Sequence, residues 1–578
     1  MRVAALPGAL LVTLLVTPLV TGLAGVPRPP AAGAQDPPAV VVVDQRFTAS
    51  DGVELQTTLT SSGAVEARPT VVEFSPYGDG SQTLAVGPGY NYLLVQIRGT
   101  GDSDGSFDAL GPRSQRDVVE VLRWACSQPF SDGNLAVNGF SASAIVLYNS
   151  WHERLPCVRA AVLRSGTHEL YRDLLVPGGI LNLLPGAGVL GLIGAPALVQ
   201  GLDRLQRDPA SSLAVVGGLF RTGVDAGLAH PTLDAWWQER GWRGDANDIP
   251  TLVIDGFFDV ESRGAFEGYQ ALRDDGAHLL LAGGHDGYPA GTDGGAAEAA
   301  AWLDHYVRGV DNGVEQHPRV QLLMPVGDRE DYLAGDVATY DAADWPVPGT
   351  RWSTLHLGPG GTLTPAAPAR SGSASYLTVP TLPTMTDTPN AALLGAGGLD
   401  ALTGALPLLT QTDLAGLTGL AFRTAPLRDD VTLAGPLALD LTLSTTTPDS
   451  GIWVVLTDVA PDGTSHPLTV GRLSTSYPGV VADRSLVDAH GHLVQPYGDY
   501  GHKDPATPLV PRRYHVELWP VGNRFEAGHR IGVLVVGTSA ASMPALPALH
   551  TVRLGGPSGA RLYVPVLPGS DLGSALGS

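Results

Sequence analysis

The sequence predicts an α/β domain followed by an all-β domain, and three observations carry that reading. Between Val40 and about Val310, short apolar, β-branched-rich strands alternate with helical segments. Between about His168 and Gly244 the alternation gives way to a stretch rich in Leu, Gly and Ala, with no charge from Leu174 to Gly201. After Trp345 the helix signal fades, and strand-like runs recur between Gly- and Pro-rich turns. At 578 residues the chain is too long for a single core.

The elements follow in order. Arg2, the apolar stretch Ala9 to Val20 and the small-x-small Ala32-Gly33-Ala34 read as a signal peptide over residues 1–34, cleaved after Ala34. An uncut anchor is the alternative, but so short a run, broken by Pro18, spans a bilayer poorly. The protein is therefore expected to be secreted or extracytoplasmic. Val40 to Val43, Val53 to Leu59, Thr70 to Phe74 and Tyr92 to Ile97 read as strands. A helix (Arg116 to Ser127), strand Leu135 to Asn138, a helix after Ser141 and strand Val158 to Leu163 come next. Strand Thr251 to Ile254, helix Arg263 to Arg273, strand His278 to Leu281 and helix Ala296 to Arg308 complete the series. Strands separated by crossover helices make a mostly parallel sheet covered on both faces. The stretch 168–244 reads as a helical cap whose apolar faces bury on each other. A membrane hairpin is disfavoured because Pro177, Pro185 and Pro196 cut it into pieces too short to span. From 346 to 578 the pattern is that of an antiparallel sandwich or jelly roll, with a Gly/Pro/Thr-rich linker over about 358–419 and no convincing helix. Its strands are Leu437 to Leu443, Ile452 to Val459, Tyr514 to Trp519, Ile531 to Val536 and Arg561 to Val566.

The net charge of −22, with Lys503 the single lysine and no basic run, argues against nucleic acid and anionic membrane surfaces as partners. No stable membrane span is expected. Export permits a disulfide between Cys126 and Cys157, although two free buried thiols fit equally well. Neither cysteine lies in a cluster of ligand spacing, so no metal and no redox chemistry is expected.

The chemistry is carried by Gly139-Phe-Ser-Ala-Ser143, which follows a strand and precedes a helix, the context of a nucleophile elbow. That turn is so sharp that its flanking positions must be small, and Gly139 and Ser143 are. A serine hydroxyl needs a base, and in the α/β-hydrolase arrangement the order is Ser, acid, His, each past a later strand. The strand Thr251 to Ile254 leads to Asp259, and His278 to Leu281 leads through two glycines to His285. Asp255 competes for the acid's role but stands at the strand end. An oxyanion hole requires the N–H of Ala142 and a donor from the loop Phe74 to Gly78, where Tyr77 either donates its hydroxyl or only packs.

The segments Ser75-Pro-Tyr-Gly78 and Arg98-Gly-Thr-Gly-Asp-Ser-Asp-Gly-Ser-Phe107 closely resemble the X-Pro dipeptidyl-peptidase and cocaine-esterase family of serine hydrolases. Gln128 to Gly133, His230 to Trp237 and Trp302 to Gly309 match it further on, and Phe422 to Leu427, Leu456 to Gly463 and Phe525 to Arg530 resemble its jelly roll. The resemblance runs in order from about Asp44 to Pro568. It implies an α/β-hydrolase domain over 40–345 with a cap, a jelly-roll domain after it, and no cofactor. It assigns Ser141, Asp259 and His285 to a triad, and Tyr77 to the oxyanion hole beside Ala142. Ala142 and Ala144 depart from the family's usual Tyr and Gly, which alters the acyl pocket but leaves the backbone donor. The long N-terminal domain of the proline-specific peptidases is not expected, since Asp44 already begins the hydrolase strands. Glu261, two residues after the acid, is read as a solvated loop carboxylate. The alternative, by resemblance to α-amino-acid ester hydrolases, is a ligand for a substrate ammonium. Trp236 and Trp237, with Leu174 to Ile193, are candidates for the substrate-facing lining of the cap.

The expected function is cleavage of a small-molecule ester or amide through an acyl-enzyme. An exopeptidase or α-amino-acid ester hydrolase that recognises a free amine is the second reading. A glycan-binding protein with a vestigial hydrolase domain is the third. The oligomeric state is not legible.

Overall fold

The computed structural model describes residues 40–577 apart from 79–82, 184–192, 208, 211, 214, 216, 219–225, 227, 286, 379–418, 540–541 and 544–545. The signal-peptide reading and most of the linker thus lie outside the described residues.

Ten strands form the first sheet: β1 Val40–Thr48, β2 Glu54–Ser62, β3 Arg68–Ser75, β4 Asn91–Gln96, β5 Ser131–Phe140, β6 Val158–Arg164, β7 Thr251–Asp255, β8 His278–Leu281, β9 Val320–Pro325 and β10 Val337–Ala342. Their order is β1-β2-β4-β3-β5-β6-β7-β8-β9-β10. The run from β4 to β9 is parallel, flanked by antiparallel β1–β2 and β10. Alternate strand residues feed two layers, as period-two geometry requires. Val72, Leu93, Val253 and Leu279 pack with helices α1 (Pro112–Cys126), α2 (Ala142–Ser150) and α3 (Ser262–Leu272). Val71, Leu94, Leu252 and Leu280 pack instead with Ala299, Trp302 and Leu303 of α4 (Ala296–Arg308). β9 and β10 extend the sheet beyond the strands legible in the sequence. β10 is an edge strand without a buried face, so its alternation carries no hydrophobic signal.

The cap sits between β6 and β7 and contains short helices Ala195–Val199, Leu202–Arg207 and Ala235–Gln238. Its apolar faces do not all bury on each other: Leu198 is 55% exposed and Leu213 73%. These helices are too short to present two packed faces at once. Beyond Trp345, among the described residues, eleven strands form a second sheet, antiparallel with one parallel exception, that closes on itself because Val431–Thr445 also pairs with Arg561–Val566. One helix absent from the sequence reading, Leu572–Leu576, is capped by the Asp571 side chain, which accepts the Ser574 N–H.

Cys126 and Cys157 are bonded, with Cα atoms 6.2 Å apart, tying the end of α1 to the residue before β6. Among the described residues no helix is long and apolar enough to cross a membrane.

Candidate active site

The parallel strands all point the same way, so the loops after β3, β5, β7 and β8 gather at one edge. Between β5 and α2 the chain turns at Ser141, which adopts φ 57° and ψ −127°, a conformation a non-glycine residue takes only under constraint. The constraint is packing. A Cβ at Gly139 would overlap the backbone of Ala144, and one at Gly166 would overlap the Ala144 methyl. The Ser141 hydroxyl lies in hydrogen-bond reach of the Tyr77 hydroxyl.

Tyr77 comes from the loop after β3, and its hydroxyl accepts the Ala142 N–H at 3.1 Å. Burial pushes the phenol up to about 12, so it keeps its proton and remains a donor at ordinary pH. Two donors therefore converge beside the serine, as an oxyanion hole requires.

Asp259 lies in the loop after β7 and is fully buried. Its two oxygens stand 3.0 and 2.9 Å from His285 Nδ1, and they also accept the backbone N–H groups of Glu261, at 2.8 Å, and of His285. Burial acts to raise its pKa, but the imidazole and these hydrogen bonds outweigh it and hold the carboxyl below the usual range. His285 follows β8, and its ring lies 4.7 Å from that of Phe140, the residue before Ser141. Gly284 cannot be larger, because a Cβ there would strike the Asp259 carboxylate. Asp255, the competing acid, accepts the N–H of Gly256 at 2.7 Å.

Glu261 overturns an expectation. It is not solvated but 2% exposed. One oxygen accepts the Thr167 N–H, while Oε2 has no hydrogen-bond partner among the described residues. Burial, with Asp259 and Asp173 adding to it against the pull of His285, pushes its pKa up to about 8. Trp236 and Trp237 pack within the cap. Trp237 donates to the His230 carbonyl at 2.8 Å and meets Tyr171 edge-on, and Trp236 stacks on His230 and meets the Arg240 guanidinium.

Residues 51–287 match the X-Pro dipeptidyl-peptidase (S15 family) domain, and residues 312–553 match the X-Pro dipeptidyl-peptidase C-terminal non-catalytic domain. The chain belongs to this family of serine hydrolases. It is 23% identical over 544 residues to a cocaine esterase of a Rhodococcus species, covering 84% of this chain and 88% of that one. A CocE/NonD family hydrolase of Staphylococcus aureus superposes with a TM-score of 0.72 at 18% identity, covering 91% of this chain and 94% of the other. An α-amino acid ester hydrolase superposes at 0.71 and 17% identity, covering 93% and 98%.

The family's ten-residue segment 98–107 opens on a buried ion pair. Arg98 is buried and paired with Asp117 at 2.5 Å and Asp51 at 3.1 Å, and Gly99 leaves room only for the backbone of Phe107. It is a structural turn. Four residues that sequence reasoning missed stand behind the site. Thr167 and Arg263 both hydrogen-bond the buried Asp173, and Arg263 also meets Glu517 at 3.0 Å. They come from three separate segments, so no local spacing announces them.

The raised Glu261 has a consequence for stability. In the unfolded chain a glutamate ionises near 4.5, whereas here it holds its proton to about 8. The folded state therefore binds more protons between these values, and this contribution to stability is lost as pH rises through that window. Glu261→Gln, which carries no titrating group, should gain on wild type by about 2–5 kcal/mol between pH 5 and pH 9. Urea unfolding at both pH values checks this, and a constant difference would refute it.

Proposed function

We propose that the protein is an exported esterase or acylase that cleaves a small-molecule acyl ester or amide, with Ser141, His285 and Asp259 as its triad. The observation that carries this is the convergence of Tyr77 and the Ala142 N–H beside Ser141, with Asp259 bracketing His285 Nδ1.

In this mechanism His285 takes the Ser141 proton as Oγ attacks the acyl carbonyl. The carbonyl electron pair moves onto oxygen, where the Ala142 N–H and the Tyr77 hydroxyl donate to the oxyanion. Collapse of the tetrahedral adduct breaks the bond to the leaving group, which receives its proton from the imidazolium. Water, deprotonated by the same His285, then attacks the acyl-enzyme, releases the acid and frees Ser141. Asp259 stays ionised throughout and holds the imidazole with Nδ1 protonated. No cofactor is required, and neither nucleic acid nor a membrane takes part.

Ser141→Ala should abolish p-nitrophenyl ester hydrolysis and fluorophosphonate labelling together. Either activity surviving in the purified variant would remove Ser141 from its role.

A second reading, that the substrate carries a free α-amine, is favoured by the Glu261 oxygen left without a partner beside His285. An ammonium placed there would lower the pKa of Glu261, whose proton would pass to solvent and leave an ion pair. If so, wild type should prefer an α-amino ester over its desamino analogue about tenfold or more, a gap of about 1.4 kcal/mol, and Glu261→Gln should lose that preference. An unchanged ratio of kcat/KM values would eliminate this reading.

Export rests on the leader at residues 1–34. N-terminal sequencing of protein recovered outside the cytoplasm should begin at Gln35, and a start at Met1 would count against cleavage.

A further inference from the structure

The C-terminal domain matches a domain described as non-catalytic, yet one of its strands reaches the loop that carries Asp259 from both sides. That strand is Arg512–Phe525. On one side, Gly522 seats the ring of Phe257, two residues before Asp259, so tightly that a Cβ at 522 would overlap it. Phe257 is itself buried and packs 5.9 Å from Phe266 of α3. Gly522 does not adopt a positive φ, so a side chain there is excluded by the ring and not by the backbone.

On the other side, Glu517 accepts from Arg263 Nε at 3.0 Å, four residues after Asp259. Arg263 is 2% exposed and also faces Asp173, Glu267 and the Tyr497 ring, with Arg172 near. Gln495 of the same domain donates to Glu267 at 2.7 Å, which grips α3 a turn further on. From Arg263 the connection continues inward. Asp173 accepts from both Arg263 and the Thr167 hydroxyl, and the Thr167 N–H donates to Glu261. The Glu261 N–H in turn donates to Asp259 at 2.8 Å. From Arg263 inward to Asp259 every link is buried, where a missing partner costs more than a made contact gains.

We propose that the strand Arg512–Phe525 is a positioning element for the catalytic acid, acting through Phe257 and Arg263 to set where the Asp259 carboxylate meets His285. This rests on the triad reading given above. Neither Gly522 nor Glu517 touches substrate, so their action is on geometry. A displacement of the carboxylate from Nδ1 weakens the charge that favours the imidazolium, which lowers the imidazole's pKa and its strength as a base.

The test uses the full chain with Gly522→Ala, Glu517→Gln and both together. Glutamine keeps an oxygen for the Arg263 N–H, and alanine adds a single methyl, so both are chosen to fold. Active sites are counted by the end point of fluorophosphonate labelling. Per labelled site, kcat on a p-nitrophenyl ester should fall about 10- to 100-fold in the double variant with KM within about threefold. The acid limb of the kcat/KM profile should move to lower pH. A lowered melting temperature with unchanged kcat per site and an unmoved acid limb would overturn the proposal, leaving the strand a purely structural support. Absence of labelling in wild type would instead overturn the triad reading, and this proposal with it.

Discussion

The site depends on burying Asp259 as an anion. An ionised carboxylate taken out of water costs several kcal/mol unless hydrogen bonds and an opposite charge replace its hydration. Here the replacement is complete and local: two backbone N–H groups and the imidazole Nδ1 surround its two oxygens. Those donors dictate the neighbouring backbone. The loop must turn back within two residues so that the Glu261 N–H points at the carboxylate. The β8 loop must bring its own N–H within reach, which leaves no volume for a side chain at Gly284. The same enclosure leaves no solvent for Glu261, whose only inexpensive state is neutral.

The turn at Ser141, the proposed nucleophile, answers to a second constraint, steric rather than electrostatic. Ser141 takes up a left-handed φ because the crossing of β5 into α2 leaves no other path, and α2 is buried along nearly its whole length. In the family pattern, small residues at 139 and 144 permit this crossing. Ala144 is larger by one methyl than the usual glycine, and the structure accommodates it across the site, where Gly166 at the end of β6 supplies the missing space. Ala142 changes only a side chain, and the donor that matters there belongs to the backbone.

Much of this was legible from order and spacing. β8 and α4 fall on the residues their apolar runs indicate, and Ser141, Asp259 and His285 stand past strand ends in the expected sequence. Such elements are readable because local chemistry determines them: a buried strand needs an apolar run, and a tight turn needs glycine. The β10 strand was not legible, since its half-exposed residues alternate with nothing. Glu261 departs from the solvated reading for a related reason. A carboxylate in a loop is ordinarily solvated, whereas this one is buried and faces Thr167 and Asp173, which lie far from it in the sequence. The same holds for Arg263, an ordinary first-turn residue until strand Arg512–Phe525 encloses it. Whether a cysteine pair bonds is likewise a question of distance, which residues 126 and 157 answer only in three dimensions.

The two constraints meet in the charge behind the triad. Glu517 is pushed up to about 7 by its burial, against Arg263 and with Glu267 and Asp173 adding to the rise, while Glu261 reaches about 8. Two carboxyls within one buried network therefore change charge close to neutrality, and they do so behind His285, the histidine proposed as the base. An added negative charge at Glu261 favours the imidazolium and so strengthens the base. The same charge is unpaired at Oε2 and weakens the fold that holds Asp259 in place. Catalytic basicity and the integrity of the enclosure thus pull the same carboxyl in opposite directions. A burial that keeps Glu261 neutral at pH 7 settles that conflict in favour of the enclosure.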